Sequence, residues 1–500
     1  MSVKEDLGLI NKHQKEIILL NQANSLLGWD EQTYMPKKGI NSKSEQSAYL
    51  SEIAHEKLIF DKLFSVLKRV KRAKLKTKDK IMIDKFFKEV LKARKLPKEF
   101  VKELSKTTTL ASSAWREARE KKKFGIFRPH LEKIIKLKRK QARYIGLRGH
   151  PYNSLLDSFE EGMTAEKLKP VFEKLKRELI ELLRKIESSY QYKKQKKKFT
   201  LKNFPKEIQM EFVKDVSKRI GLENERTRID LSEHPFTTKI GVGDVRITTN
   251  FRKDPLFSFG SSIHEAGHAL YELGMPEKDA YNILCDAPSY GLHESQSRFW
   301  ENMIGKNKAF WKFYFPKFNK KFNLKLGKNG FDDWYKEINY VFPGKIRIES
   351  DEVHYCLHVI LRFEIELGLI EGSIKVKDLP KIWNAKMKEM LGAVPKNDVE
   401  GVLQDVHWSG GAIGYFPTYA LGTIYATQIF NKLKKIYLKI EKDMERGEFS
   451  KIRNWLKNNI HKHGSKYLAE DIIERACGEG LNPDVYVKYL NKKYGEIYGF

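Results

Sequence analysis

From the N-terminus to about residue 225, apolar residues return every three or four positions, the period of helices that turn one face to a core. The pattern predicts helices over residues 5–29, 43–68, 77–94, 97–121, 129–147, 165–192 and 205–220. Ser42 and Glu45 have capping-box spacing, and Thr164 before Ala165-Glu166-Lys167 is a second helix start. Residues 29–36, from Trp29 to Pro36, mix aromatic and polar groups and are expected as a loop that packs or lines a cleft.

Over residues 226–253 the period shortens to two. Thr227, Ile229 and Leu231 alternate with polar neighbours; Val245, Ile247, Thr249 and Phe251 fall on one side of a second run, and Arg246, Thr248 and Asn250 on the other. This predicts a small β-sheet of two or three strands, whose exposed edge could lend backbone hydrogen bonds to an extended peptide. Helices then resume to the end, with loops at 281–291, 323–331, 341–345 and 409–418. No Pro/Gly/Ser-rich linker marks a boundary. The expected fold is therefore mainly α: one large helical body over residues 1–500 with a deep groove. Residues 1–225 form its N-terminal wall, and 226–500 carry the sheet and the helices next to it.

Just after the sheet stands Ser261-Ser262-Ile263-His264-Glu265-Ala266-Gly267-His268-Ala269-Leu270, ended by Gly274 and Pro276. Histidines four apart on a helix share a face, about 6 Å apart along the axis, so both imidazoles reach one ion. Glu265 sits beside that face, where a carboxylate can take a proton from water activated by the metal; this is the H-E-x-x-H pattern of zinc peptidases. Ala266, Gly267 and Ala269 are small enough for close packing. A catalytic zinc needs a third protein ligand, and Glu272, Asp279, Asp286, Glu294 and Glu301 are within reach. Glu272 is one turn beyond His268, and three successive turns cannot converge on one ion without bending. Glu294, expected to begin a helix over 294–303 that crosses the first, is the better ligand. His293, Ser295, Gln296 and Arg298 around it could support the ligands or the substrate.

Composition alters this reading little. A chain of 500 residues, 41% hydrophobic, has material for a large core, and no apolar run is long enough for a membrane span or a secretory signal. Cys285, Cys356 and Cys477 are widely separated, which suits core packing and a cytoplasmic location and gives no disulfide framework. The net charge of +30 raises the question of nucleic acid. The excess is mostly lysine, as in 68–80 and 193–198; the first run is interrupted at helical intervals by apolar residues and reads as a solvated helix face. Nucleic acid is therefore not the expected partner.

His264-Glu-Ala-Gly-His268 followed by His293-Glu-Ser-Gln296 resembles the thermostable carboxypeptidase (carboxypeptidase Taq) family of zinc metallopeptidases. Further blocks fit in order: Trp29-Asp30, Met35-Pro36, His234-Pro235-Phe236, Asp244-Val-Arg-Ile-Thr248, Arg347-Ile-Glu-Ser-Asp-Glu352, Gln404-Asp-Val-His-Trp408, Gly414-Tyr-Phe-Pro-Thr-Tyr419 and Lys493-Tyr494-Gly495. Ser350 stands where the family pattern has alanine. The resemblance implies a metallo-carboxypeptidase of broad preference acting on peptides with a free C-terminus, in a helical, saddle-shaped fold that dimerises. It implies His264, His268 and Glu294 as metal ligands, Zn2+ as the metal with Co2+ able to substitute, and Glu265 as general base and acid. His407, Tyr415 and Tyr419 would stabilise the charge that develops in the reaction. His234 and Asp244 would belong to the substrate site, and Arg246 or Arg347 would receive the terminal carboxylate; the residues alone do not choose between the two arginines.

Overall fold

The structure, a computed structural model, describes residues 2–195, 204–252, 255–324, 326 and 330–500. Lysines 196–198 of the second basic run and part of the 323–331 loop lie outside the described residues. Helices Thr77–Arg94, Lys98–Glu120 and Lys206–Ile220 stand within a residue of the periodicity.

Elsewhere the period carried through breaks it could not register. The helix expected over 43–68 is two, Ile40–Ile59 and Asp61–Lys71, parted at Phe60, whose backbone leaves the helical region at ψ 128° and whose ring stacks on His13. The helix expected over 165–192 stops at Ser188, because Ser189 caps a new turn, accepting from the Tyr192 amide at 3.2 Å. Pro129 lies inside Phe124–Ile145 rather than opening it. The expected loop at 29–36 is a loop only at its end: the first helix, Val3–Thr33, runs on past Trp29. Trp29 is buried there, with Arg246 over its ring at 4.3 Å.

The N-terminal wall is divided by its packing. Ile10, Leu63, Val66, Leu67, Met82, Ile83 and Phe86 make a small core of their own with Leu284, whereas the helices from Lys98 onward share one large core with the C-terminal half. The three free cysteines help fill this interior; Cys285 and Cys356 are buried. No helix among the described residues is long and apolar enough to cross a membrane.

The sheet has three strands, β1 (Thr227–Leu231), β2 (Thr237–Gly241) and β3 (Asp244–Thr249), in the order β1-β3-β2. β1 runs parallel to β3 and β2 antiparallel to it, so β2 is an edge. Val245 and Ile247 are fully buried, and β3 packs on the helix that carries the histidine pair. Strand alternation sends Arg246 to the other face, toward the first helix. The sheet thus links the N-terminal wall to the helix that carries the histidine pair.

Candidate active site

The histidine pair lies on Pro255–Gly274, a 20-residue helix buried along most of its length. A second helix, Tyr290–Arg298, crosses it. The expected start at Glu294 is corrected: Ser289 is the N-cap, its hydroxyl accepting from the Leu292 amide at 3.0 Å, so Glu294 lies in the second turn. The helix continues as a π-helical turn, Phe299–Ile304. Two glycines set how closely these helices approach. A Cβ on Gly267 would come within 2.5 Å of the Gln296 carbonyl. A Cβ on Gly422, in the third helix of the crossing, Pro417–Ile436, would come within 2.7 Å of the Glu294 Cβ.

This crossing brings the ligand atoms of His264, His268 and Glu294 within 4.8 Å of one another. Glu294 Oε2 is 3.7 Å from His264 Nε2 and 3.5 Å from His268 Nε2. Ligands on a tetrahedral zinc, each ~2.05 Å from the ion, lie ~3.4 Å apart, close to the spacing of Glu294 from each histidine. The surroundings prepare them for it. Glu301 Oε2 holds His264 Nδ1 at 2.8 Å, which leaves Nε2 for a metal. Arg298 donates to Glu294 Oε1 (2.8 Å) and Glu301 Oε2 (3.2 Å), tying two helical turns together. Burial opposes charge on His264, yet Glu294 and Glu301 overcome it and raise its pKa to about 9. Burial also opposes charge on Glu294, but His264 and Arg298 hold its carboxyl far below the usual range. The site favours positive charge between its carboxylates, and a cation can take the place of the proton there.

Glu265 is buried beside the pair, and Thr237 on β2 donates to its Oε2 at 2.6 Å. Burial raises this carboxyl, as suits a base that must hold and release a proton. Glu272 is no ligand: its carboxylate lies 2.9 Å from His293 Nε2 and 2.8 Å from Lys239 Nζ, and the His293 ring stacks on His268 with centroids 4.4 Å apart. Asp279 pairs with Lys78, and Glu301 supports His264, so Glu294 is the candidate carboxylate that reaches the pair.

His407, Tyr415 and Tyr419 form one cluster opposite. His407 Nε2 is 3.0 Å from the Tyr419 hydroxyl, and the rings of Tyr415 and Tyr419 lie 5.3 Å apart. Burial lowers His407 to about 4, so it is neutral at neutral pH. Arg347 adjoins the cluster, 4.5 Å from the Tyr419 ring. Its Nε and Nη2 donate to Asp405 Oδ1 at 3.1 and 2.8 Å, and Nη1 donates to the Tyr355 hydroxyl at 3.2 Å. Arg246 is not brought to the metal ligands; Asp244 holds it at 2.9 and 2.7 Å on the sheet face turned toward Trp29. His234 is exposed in the β1–β2 turn, where its carbonyl accepts from Ser232 Oγ at 2.7 Å. Sequence reading assigned no role to Thr237 or Tyr355, and quoted Asp405 only within the Gln404–Trp408 block, because what each holds is set by folding: Thr237 meets Glu265 from 28 residues away and Asp405 meets Arg347 from 58.

A mainly helical protein in which two imidazoles and a carboxylate converge beside a buried glutamate has the site of the metallopeptidase class. The model of the carboxypeptidase Taq (M32) metallopeptidase family matches residues 9–494, and the chain belongs to that family; it is a carboxypeptidase, a peptide hydrolase. Thermostable carboxypeptidase 1 of Pyrococcus furiosus is 37% identical over 491 residues, 96% of each chain. Carboxypeptidase 1 of Bacillus subtilis is 37% identical over 489 residues, 97% of each. Among solved structures, the M32 carboxypeptidase from Deinococcus radiodurans R1 superposes with a TM-score of 0.95 at 35% identity, covering 99% of this chain and 100% of that one. Trypanosoma cruzi metallocarboxypeptidase 1 gives 0.95 at 32% identity, with the same coverage.

Proposed function

We propose that the chain is a zinc-dependent carboxypeptidase that removes residues of many kinds from the free C-terminus of peptides. The observation that carries this reading is the convergence of His264 Nε2, His268 Nε2 and Glu294 Oε2 beside the Glu265 carboxylate. Zinc held by these three residues, or cobalt in its place, would polarise the scissile carbonyl and make water acidic enough to attack near neutral pH. Glu265 takes the proton from that water and passes it to the departing amine. Thr237 fixes one carboxylate oxygen and leaves the other to do so. Charge that gathers on the carbonyl oxygen is met by the hydroxyls of Tyr415 and Tyr419, with neutral His407 setting the position of Tyr419.

Of the two arginines, we assign Arg347 to the terminal carboxylate. Its bonds to Asp405 and Tyr355 occupy three of its five N–H donors and leave two. Arg246 is on the far face of the sheet, where with Asp244 it fastens the first helix. The edge strand β2, with His234 in the turn before it, supports the peptide backbone. We also read the chain as cytoplasmic and dimeric; sedimentation at micromolar concentration checks the second point, and a monomer there refutes it.

Mass spectrometry of peptides incubated with zinc-loaded protein tests the whole reading. The expected products form a ladder shortened only from the C-terminus, and C-terminal amidation abolishes it. Internal cleavage, or equal turnover of amidated peptide, overturns the reading.

A further inference from the structure

Three aromatic rings stand at one end of the cleft without a part in the chemistry above, apart from the Tyr415 hydroxyl. Phe159, Tyr290 and Tyr415 meet edge to face, with centroids 5.7 Å (Phe159–Tyr290), 5.1 Å (Phe159–Tyr415) and 5.3 Å (Tyr290–Tyr415) apart. Their placement is built in. The Tyr290 amide donates to the Phe159 carbonyl at 3.0 Å, Glu160 and Ser289 form an isolated β-bridge, and the Gly291 amide donates to the buried Glu160 carboxylate. Even so, Tyr290 keeps half its surface exposed, and a large exposed aromatic ring beside a reaction centre is what needs explaining.

The helix Tyr290–Arg298 gives the cleft a direction. Tyr290 is four residues before Glu294 and Arg298 four after, one turn or about 6 Å to either side of the metal ligand. On the Arg298 side, its guanidinium lies 3.8 Å over the Tyr355 ring, and Tyr355 accepts from Arg347. A peptide whose carboxylate points to Arg347 and whose scissile carbonyl lies at Glu294 therefore runs its acyl part toward Tyr290. There a cavity of about 610 Å³ opens, lined by Phe159, Tyr290 and His293 at the metal end and, beyond, by apolar groups such as Leu58 and Leu96 interleaved with charged ones. The lysines on its wall are already neutralised, Lys85 by Glu161 at 2.9 Å and Lys92 by Asp157 at 2.7 Å. The wall carries five acidic side chains, Glu89, Asp157, Glu161, Glu272 and Asp286, against these two lysines, a balance that disfavours an acidic group.

We propose that Phe159, Tyr290 and Tyr415 form the subsite for the side chain immediately upstream of the scissile bond, and that it selects bulky apolar residues and rejects acidic ones. The proposal rests on the carboxypeptidase reading with Arg347 as the carboxylate end. Tolerance at the terminal residue and selectivity at the residue before it are then separate properties of the two ends of one helix.

The test uses zinc-loaded full-length protein and N-acetylated tripeptides with alanine first, leucine last, and Phe, Leu, Gly or Asp between them. The wild type should show kcat/KM for Phe and Leu about tenfold or more above Gly, with Asp lowest. Tyr290→Ala and, separately, Phe159→Ala should bring the Phe-to-Gly ratio down by about tenfold, with zinc content unchanged. Equal kcat/KM for all four peptides in the wild type, or variants that lower every peptide by one factor and keep the ratio, overturns the subsite. Cleavage of none by the wild type overturns the carboxypeptidase reading and the subsite with it; cleavage without discrimination overturns the subsite alone.

Discussion

Substituting Gly422 by alanine places one methyl group against Glu294, the proposed carboxylate ligand, at a position far from the H-E-x-x-H motif in the chain. The added Cβ would lie 2.7 Å from both Cβ and Cγ of Glu294 and 3.0 Å from its carbonyl carbon, against 3.4 Å for the closest ordinary contact. The two helices must part by the difference, 3.4 − 2.7 = 0.7 Å, or Glu294 must turn. Zinc–ligand distances tolerate only about 0.2 Å, so either response takes the carboxylate out of range. Stability changes less clearly. Removing a helical glycine gains about 1 kcal/mol, and overpacking a core costs about 1–3 kcal/mol, which leaves a net loss of roughly 0–2 kcal/mol. Affinity for zinc should fall about 10- to 100-fold, as when a group supporting a metal ligand is lost. Chelator competition measures the affinity, and urea unfolding of the metal-free protein measures stability. Gly28→Ala is the control: it is also in a helix, with nothing within 4 Å of the added Cβ, and should leave zinc affinity intact. Gly422→Ala with wild-type zinc affinity would refute the argument that this close crossing sets the ligand geometry.

Three further outcomes follow from the same network. Glu265→Gln should retain one zinc per chain, by atomic absorption, while kcat falls at least 100-fold; loss of the metal would make Glu265 a structural ligand instead. Glu301→Gln removes the charge that orients His264 and should weaken zinc about tenfold or more by chelator competition; unchanged affinity would sink that role. Glu160 is buried, and desolvation raises its carboxyl from 4.5 to about 8. A raised carboxyl contributes stability that is full below pH 4.5 and is lost as pH rises through about 8. Glu160→Gln should therefore gain on the wild type across that window, by roughly 3–5 kcal/mol at the alkaline end in denaturant unfolding; parallel pH profiles would contradict it.

Much of the site was legible because its signals are local. His264 and His268 share a helix face by spacing alone, Glu265 follows from the motif, and the change from helical to strand period located β1 and β3. What the pattern missed has physical causes. Hydrophobic periodicity does not register a break without Gly or Pro, so it ran through Phe60 and Ser189. It also placed the start of the second site helix at Glu294, because the capping role of Ser289 depends on a single hydroxyl. The two arginines could not be told apart, since their surroundings are made by Asp244 in one case and by Asp405, 58 residues away, in the other.

By itself, then, the sequence determined the helical class, the sheet, the paired histidines with Glu265 beside them, and the preference for Glu294 over Glu272. These follow from covalent spacing and from which side chains can be ligands. The tertiary structure alone decided what surrounds them: Thr237 on Glu265, Glu301 on His264, Arg298 between two carboxylates, Gly267 and Gly422 at the helix crossings, and Tyr290 facing a cavity. Contacts between segments far apart in the chain depend on close packing of complementary shapes, and that complementarity exists only once the helices have crossed.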